Sequence, residues 1–424
     1  MYNEQPVVGL DIGTTKICVI VGRKNEYGKL EVMGMGKAVS DGVIRGIISN
    51  IDKTVQAIRQ AVKEAEEQSG VEINVVNVGI AGQHIRSSVH HGSITRNSAN
   101  EEISVEDVDR LTQDMYRIVT PPGSEIIHVM PQLYTVDYEE GIKDPVGMLG
   151  VKLEADFHII TAQTNAINNV NKCVRKAGLE IDNLILEPLA SSLAVLSEEE
   201  KQAGVCLVDI GGGTTDIAIF HDGIIRHTAV IPYGGNIITS DIKQGCSVLA
   251  EQAELLKVKF GRAIAEEASM NEIVSIRGLR DRPPREISVK NLAYIIEARV
   301  QEIFELVHAE VISSGYEDRL AGGIVITGGG SQLRHIKQLC ELICAMDGRI
   351  GHPNEYLGKS KPETIKSPMY ATGVGLVLAG FKAIDERNSE YLRRTSGQAN
   401  QFVRKERQSA FSFKGILEKT KKIF

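Results

Sequence analysis

The chain has no tryptophan, and aromatic residues make up only 5% of it. Its core must therefore be built from aliphatic side chains. Only six cysteines occur in 424 residues, and they are scattered. That excludes a disulfide scaffold and fits a reducing, cytosolic compartment. Cys340 and Cys344 alone are close in sequence. Their CxxxC spacing sets both on one face of an apolar helical pattern, which argues for packing rather than metal binding. No run approaches the 18 or so uncharged apolar residues that a membrane-spanning helix needs. Residues 1–4 carry neither the basic nor the apolar region of a signal peptide. Positive charge is not in excess: Lys+Arg is 48 against Asp+Glu 55, a net charge of -7. Such a chain is not built to coat nucleic acid, and no nucleic-acid partner is expected. With 42% hydrophobic and 24% charged residues, wholesale disorder is also excluded.

Glycine is plentiful, at 41 residues, and it clusters. Residues 7–23 (VVGL-DIGTTK-ICVIVGR) read strand, tight turn, strand, and residues 205–221 (VCLV-DIGGGTTD-IAIFH) read the same way. A third β-rich run follows each, at Leu30–Val39 and Ile224–Pro232. The two Asp-Ile-Gly triplets lie about 200 residues apart, half the chain. This is the signature of a duplicated α/β domain, each copy opening with a hairpin. Helical spacing is expected over 47–68 with Gly70 as the stop, over 239–265, and over 291–313. Gly322–Thr327 is an apolar strand, after which Ser331 is expected to cap a helix carrying Leu333, Ile336, Leu339, Cys340 and Ile343. Residues 84–160 break the repeat. One helix (105–118, capped by Ser104) and two extended runs (126–137 and 151–161) form an inserted α+β module. Residues 381–410 are polar with little periodicity and read as a linker.

A turn of Gly and Thr frees backbone N–H groups to face one oxygen-rich ligand, because glycine has no Cβ to hold it away. In the first turn Gly13, Thr14, Thr15 and Lys16 suit phosphate; in the second Gly211, Gly212, Gly213, Thr214 and Thr215 do. Asp11 and Asp209 end their strands at equivalent places. Two such carboxylates suit Mg²⁺, which keeps its waters and takes few protein ligands. A single Asp-Ile-Gly could be only a turn; two copies in the same setting argue for phosphate binding. The cluster Gly328, Gly329, Gly330 and Ser331 lies between a strand and a helix, where a ribose or base could pack. Glu254 and Lys257 stand at i, i+3 on an expected helix, as a surface ion pair or, beside a nucleotide, as ribose partners. His90–His91 has no nearby partner set for a metal. The loop 277–285 (RGLRDRPPR) is basic, and Arg282 and Arg285 flank its two prolines.

Together these motifs resemble the actin/sugar-kinase/DnaK-type chaperone ATPase superfamily. DIGTTK looks like its first phosphate loop, DIGGGTTD its second and TGGGSQL its adenosine motif, while Glu254 and Lys257 match its purine-side pair. Glu187-Pro188-Leu189-Ala190 resembles the first connecting segment, whose Glu positions the attacking water. Residues 371–375 (ATGVG) resemble the second. A sugar kinase would need a sugar-site insert, and a chaperone a substrate domain; neither is seen. The inserted module, with IIHVMPQLYTVD and GIKDPVGMLGVKLEADFHII, and the segment GGNIITSDI narrow the resemblance to the FtsA bacterial cell-division proteins. A pilus-assembly actin-like ATPase is the nearest rival, without a tail like 411–424.

The resemblance implies two RNase-H-like domains around a cleft for ATP and Mg²⁺. The first actin-like domain would take residues 1–83 and 161–202, the inserted subdomain 84–160, the second domain 203–235 and 301–380, and its subdomain 236–300. A linker (381–408) and an amphipathic helix (409–424) would follow. ATP is implied as a polymerisation ligand, with hydrolysis slow or absent. The implied partners are a C-terminal peptide of FtsZ at the 236–300 subdomain, further copies of the chain in an actin-like filament, and later division proteins. The implied location is the inner face of the cytoplasmic membrane at the septum.

The end of the chain carries the membrane expectation. Phe411, Phe413, Ile416, Leu417, Ile423 and Phe424 recur near helical spacing, with Lys421 and Lys422 beside them. Residues 401–424 hold seven Lys/Arg and two Glu, a local charge of +5. Each buried large apolar side chain contributes roughly 1.5–3 kcal/mol, and each lysine near anionic lipid about 1 kcal/mol. One tail should bind an anionic surface reversibly, and many tails on a filament firmly. Phe413→Glu or Leu417→Glu should therefore release the protein from anionic vesicles in a co-sedimentation assay. Wild-type sedimentation of either variant rules the anchor out.

Overall fold

The computed structural model describes residues 5–97, 100–278, 283–358, 360 and 363–389. The chain divides into two compact units, Met1–Leu378 and Ala379–Phe424. The first holds the duplicated architecture.

Its first half is a five-stranded sheet with spatial order Glu180–Leu186, Val75–Ile80, Val7–Ile12, Lys16–Lys24, Leu30–Val39. Its second half repeats that order with Gly348–Ile350, Ile324–Thr327, Val205–Ile210, Thr215–His221, Ile224–Ile231. In both, the hairpin strands pair antiparallel and the outer two strands join parallel. The registers are equivalent: Asp11 stands opposite Cys18, and Asp209 opposite Asp216. The repeated hairpins seen in the sequence are thus the centres of two like sheets. Val7–Ile12 and Val205–Ile210 are buried at every position, as strands covered on both faces require. The core beneath them is aliphatic, from Leu10, Ile17 and Ile58 in one half to Val208, Ile296 and Ile326 in the other, and Phe304 is a rare aromatic in it.

Several helix boundaries differ from the periodicity. The first helix spans Ile51–Ser69, because the Asn50 side chain accepts the Lys53 N–H and fixes the start; Gly70 ends it at φ 70°. Ile47–Ile48 instead pairs with Val43–Ile44 in a short hairpin. The run 239–265 is two helices, Gly235–Cys246 and Ala250–Phe260, parted at Ser247 with φ 50°. Ser331 does not cap the following helix. It lies in a short 3-10 turn, its hydroxyl donates 2.8 Å back to the Gly328 carbonyl, and the helix starts at Ile336. Cys340 and Cys344 are buried on that helix with free thiols, as the spacing implied. The second unit is helical from 379 to 389. The linker expected from 381 thus begins as helix, since no glycine or proline interrupts residues 381–389.

The module lies between the strand Val75–Ile80 and the helix Thr164–Ala177. Four strands, in order Ile85–Thr95, Lys152–Gln163, Ser124–Val136, Glu139–Ile142, carry the helix Val105–Met115, which Ser104 and Asp107 cap reciprocally. It has its own core around Leu111, Leu153 and Phe157. It touches both halves. His128 Nε2 accepts the Leu186 N–H at 3.0 Å, and the Gln132 amide donates to the Ile225 carbonyl at 2.8 Å. Buried His158 meets the Thr228 hydroxyl at 3.2 Å.

Two helical segments cross between the halves, Glu187–Val195 and residues 371–378. They approach so closely that a Cβ at Gly375 would lie 1.8 Å from the Ala190 carbonyl oxygen. Rigid backbone cannot yield to that, and overpacking costs about 1–3 kcal/mol or more. Gly375→Ala should lower the unfolding free energy by that amount, seen as a lower urea midpoint with the slope unchanged. An unaltered midpoint would show that the crossing is not tightly packed.

Candidate functional site

The two hairpin turns face one another across the interface of the halves. A Cβ at Gly212 would lie 2.4 Å from Thr15 Cγ2, and one at Gly213 2.6 Å from Thr14 Oγ1. Only glycine allows that approach. The cleft between them is lined by Asp11, Gly13, Thr14, Thr15, Lys16, Glu187, Asp209, Gly211, Gly212, Gly213, Thr214, Asp216, Gly328 and Gly329. Residues from four separate parts of the sequence therefore meet at one place.

The carboxylates are held differently. Asp11 takes the Lys16 ammonium at 3.3 Å. Asp209 accepts from the Ser191 hydroxyl at 2.6 Å and the Thr372 hydroxyl at 3.2 Å. One carboxylate is thereby fixed by both connecting helices. Gly328, at φ 83°, passes so near that a Cβ there would lie 2.3 Å from Asp209 Oδ1. Glu187 opens its helix, and Gly79 leaves it room, since a Cβ there would lie 3.0 Å from Glu187 Cγ. Asp216 accepts from Thr214 at 2.9 Å through Oδ2, while its Oδ1 has no partner among the described residues.

Four carboxylates share this space with one lysine, and the protonation equilibria reflect it. Burial pushes Glu187 well above the usual carboxylate range, and the charges of Asp11, Asp216 and Asp209 add to the shift. Burial also raises Asp209, with Asp11 adding to it, against the hydrogen bonds from Ser191 and Thr372. Asp216 is pushed up to about 7 by burial and by Asp209. Burial opposes the charge on Lys16, but Asp11 outweighs it and holds Lys16 above the ordinary lysine range.

A second cavity, of about 380 Å³, opens beside the cleft and shares Thr15, Gly211, Gly212 and Gly329 with it. Glu254, Lys257, Gly330 and Met369 also line it. Lys257 and Glu254 do pair, at 2.8 Å, and Lys257 also donates to Thr239 and to the Gly235 carbonyl. The ion pair is therefore a wall of the cavity. A Cβ at Gly329 would point into open space, which makes it the exposed floor between the two cavities.

Some expected donors are turned elsewhere. Thr215 is fully buried and its hydroxyl donates to the Tyr233 carbonyl at 2.8 Å; the Thr214 hydroxyl donates to Asp216. The first bond ties the strand Thr215–His221 to the segment after Ile231 and the second stays within the turn, while Thr214 still lines the cleft. Ser331 is buried and does not line the adenosine-side cavity. Arg285 stands far along the chain from this cleft, at the start of the strand Arg285–Ser288, donating to the Ser247 carbonyl at 2.9 Å. Arg282 and residues 411, 413, 416, 417 and 421–424 lie outside the described residues. Asp216, Ser191 and Thr372 were not singled out from sequence. Asp216 closes the quoted DIGGGTTD run, and Ser191 is one helical turn beyond Glu187, so spacing could have found both.

Known proteins resemble this chain in sequence and in fold. The family model described as "Cell division protein FtsA" matches residues 206–375, and "SHS2 domain inserted in FTSA" matches residues 82–161. The chain is 44% identical to cell division protein FtsA of Pseudomonas aeruginosa over 90% of its length and 91% of the relative's. It is 34% identical to that of Escherichia coli K12, covering 95% of this chain and 97% of the relative. A type IV pilus PilM–PilN complex aligns with a TM-score of 0.64 at 16% identity, covering 89% of this chain and 99% of that one. MreB5 of Spiroplasma citri bound to ADP aligns at 0.52, also with 16% identity, covering 92% and 98%. At those identities the structures establish an actin-like fold and nothing finer.

Asp216 gives this cleft a measurable pH response. Its folded pKa lies above the unfolded value of about 4. The folded state thus binds the extra proton between about pH 4 and 7, and stability attributable to Asp216 is lost as pH rises through 7. Asp216→Asn should raise Tm of the nucleotide-free protein at pH 8 and leave it nearly unchanged near pH 4. Equal shifts at both pH values would remove Asp216 as the source.

Proposed function

The chain belongs to the FtsA family of cell-division proteins, and from that premise we propose that it binds Mg·ATP in the cleft and uses it to assemble filaments that hold FtsZ at the membrane. The convergence of both glycine turns, four carboxylates and the Glu254–Lys257 wall on adjoining cavities carries the nucleotide reading. The polyphosphate would lie between the turns, on the backbone N–H groups of 13–15 and 211–213, with Lys16 supplying positive charge. The nucleoside would lie over Gly329 and Gly330, with its ribose toward Glu254 and Lys257.

The donor set fits a hydrated divalent cation. Asp11 and Asp209 face the phosphate turns, Asp216 Oδ1 lacks a partner, and one lysine leaves a surplus of negative charge. No three His, Cys, Asp or Glu among the described residues close a direct ligand cage, which matches a cation reached through water. When bound, Mg²⁺ supplies charge neutralisation at the phosphate oxygens. Glu187 is the residue placed to orient a water. In the nucleotide-free cleft burial, with the charges of Asp11, Asp216 and Asp209 added to it, raises the Glu187 pKa and so weakens it as a base. Turnover would then be slow or absent, and ATP would act mainly as the ligand that holds the halves together.

Filament contacts would engage the inserted module, which replaces no part of the nucleotide site and stands on both halves. The FtsZ peptide would dock on the 236–300 subdomain, where Arg285 is exposed. The 409–424 segment would provide the peripheral membrane anchor; among the described residues no helix is long and apolar enough to cross a membrane. The pilus-assembly alternative has the same fold behind it, but the relatives at 34–44% identity are division proteins.

Asp209→Ala is the direct test. Removing it deprives the cation of an anionic partner and leaves Ser191 and Thr372 without their acceptor. Calorimetry should show Mg²⁺-dependent ATP affinity reduced at least tenfold, about 1.4 kcal/mol. Retention of wild-type affinity would sink the nucleotide assignment.

A further inference from the structure

A third cavity, of about 410 Å³, also borders the phosphate turns, and neither Glu254 nor Lys257 lines it. It shares Thr14, Gly212 and Gly213 with the central cleft. Ser40, Asp41 and Arg45 enter from the first half, and Asn236 and Ser240 from the second. No family motif named above includes Ser40 or Arg45.

Arg45 sits at the tip of the hairpin that pairs Ile44 with Ile47. The two tip residues, Arg45 and Gly46, have φ of 50° and 76°. This is the left-handed pair of a two-residue hairpin turn, where Asn, Asp or Gly is the usual occupant of both places. An arginine there is locally unfavourable, so its retention needs a reason beyond the turn. The tip rests against both phosphate turns. The Gly46 N–H donates to Thr14 Oγ1 at 3.1 Å, and a Cβ on Gly213 would lie 2.9 Å from Arg45 Cα. Among the described residues Arg45 makes no hydrogen bond or ion pair. A second group here is also unused: Ser40, only 7% exposed, has a hydroxyl with no partner. The charged groups of the cavity are Arg45 and Asp41 alone.

We propose that Arg45, with the Ser40 hydroxyl, forms a terminal-phosphate subsite at the mouth of the cleft and makes the protein discriminate a nucleoside triphosphate from a diphosphate. The inference rests on the nucleotide reading above. This cavity and the cleft share Thr14, Gly212 and Gly213 in their linings, so a phosphate chain held by those turns borders the cavity that Arg45 lines. A guanidinium offers planar, paired donors that match a phosphate terminus, and its charge adds to that of Lys16 where four carboxylates otherwise prevail. Because the hairpin belongs to the first half and Gly213 to the second, a terminal phosphate held by both joins the halves. A diphosphate, lacking that group, leaves Arg45 and Ser40 unengaged.

The experiment compares Mg·ATP and Mg·ADP binding to the full chain by calorimetry, for wild type, Arg45→Gly and Arg45→Asn. Both replacements suit a left-handed turn, so the nucleotide-free Tm should hold or rise. ATP affinity should fall roughly ten- to a hundredfold, the loss expected of a charge-assisted hydrogen bond, while ADP affinity stays within about twofold. Arg45→Lys should recover part of the ATP affinity. Equal losses for both nucleotides, or no loss for either, would overturn the role of Arg45 while leaving the nucleotide reading in place. A wild type that binds neither nucleotide would remove both.

Discussion

The carboxylate of Asp209 is the point on which the rest of the molecule depends. It ends the central strand of the second sheet, takes hydroxyl hydrogen bonds from Ser191 and Thr372, and lies under Gly328. Ser191 belongs to one crossing helix and Thr372 to the other. The strand that carries the second phosphate turn is therefore fixed to both connections between the halves. Any rotation of the halves must act through this junction. Buried charge is costly unless hydrogen bonds or partners satisfy it, and the two hydroxyls provide that compensation even without a ligand.

The remaining carboxylates are less well compensated. Glu187 and Asp216 are raised by burial and by their acidic neighbours, with Lys16 as the nearest opposing charge. Such a site is electrostatically frustrated when alone, and the cation and polyphosphate proposed above would relieve it. Binding that relieves strain in the folded state stabilises that state by mass action. The same reasoning explains why the glycine turns can press together so closely. With no side chains at 211–213, the backbone of one half comes within contact of Thr14 and Thr15 of the other. On the proposed nucleotide reading, affinity and the spacing of the halves would be two aspects of one equilibrium.

The inserted module adds a separate constraint. His128 holds the N–H of Leu186, the residue immediately before Glu187, and burial lowers the His128 pKa to about 4. The ring stays neutral and Nε2 stays an acceptor at physiological pH. His158 and Gln132 reach the second half at the same time. A module that merely decorated the first half would not need buried contacts on both. The module's own position therefore depends on the spacing of the halves.

The two glycine-turn hairpins were legible in the sequence because each is local, a strand, a turn and a strand within some 17 residues, and the inserted module was legible because it breaks their repeat. Glycine clusters and the Asp at each strand end announce their chemistry without reference to the rest of the chain. The helix starting at Ile51 was misplaced because Asn50 capping competes with apolar spacing, and Ser331 was misread because its hydroxyl had a nearer carbonyl. What no local pattern could decide was which groups meet. Thr214 and Thr215 look alike in the motif, yet the Thr215 hydroxyl is buried against the Tyr233 carbonyl while Thr214 lines the cleft and donates to Asp216. Ser191, Thr372, Arg45 and Ser40 carry no motif of their own. They are brought to the phosphate turns by two helices crossing at Gly375 and by a hairpin with left-handed residues at its tip. Their roles arise from long-range packing, which sequence spacing does not encode.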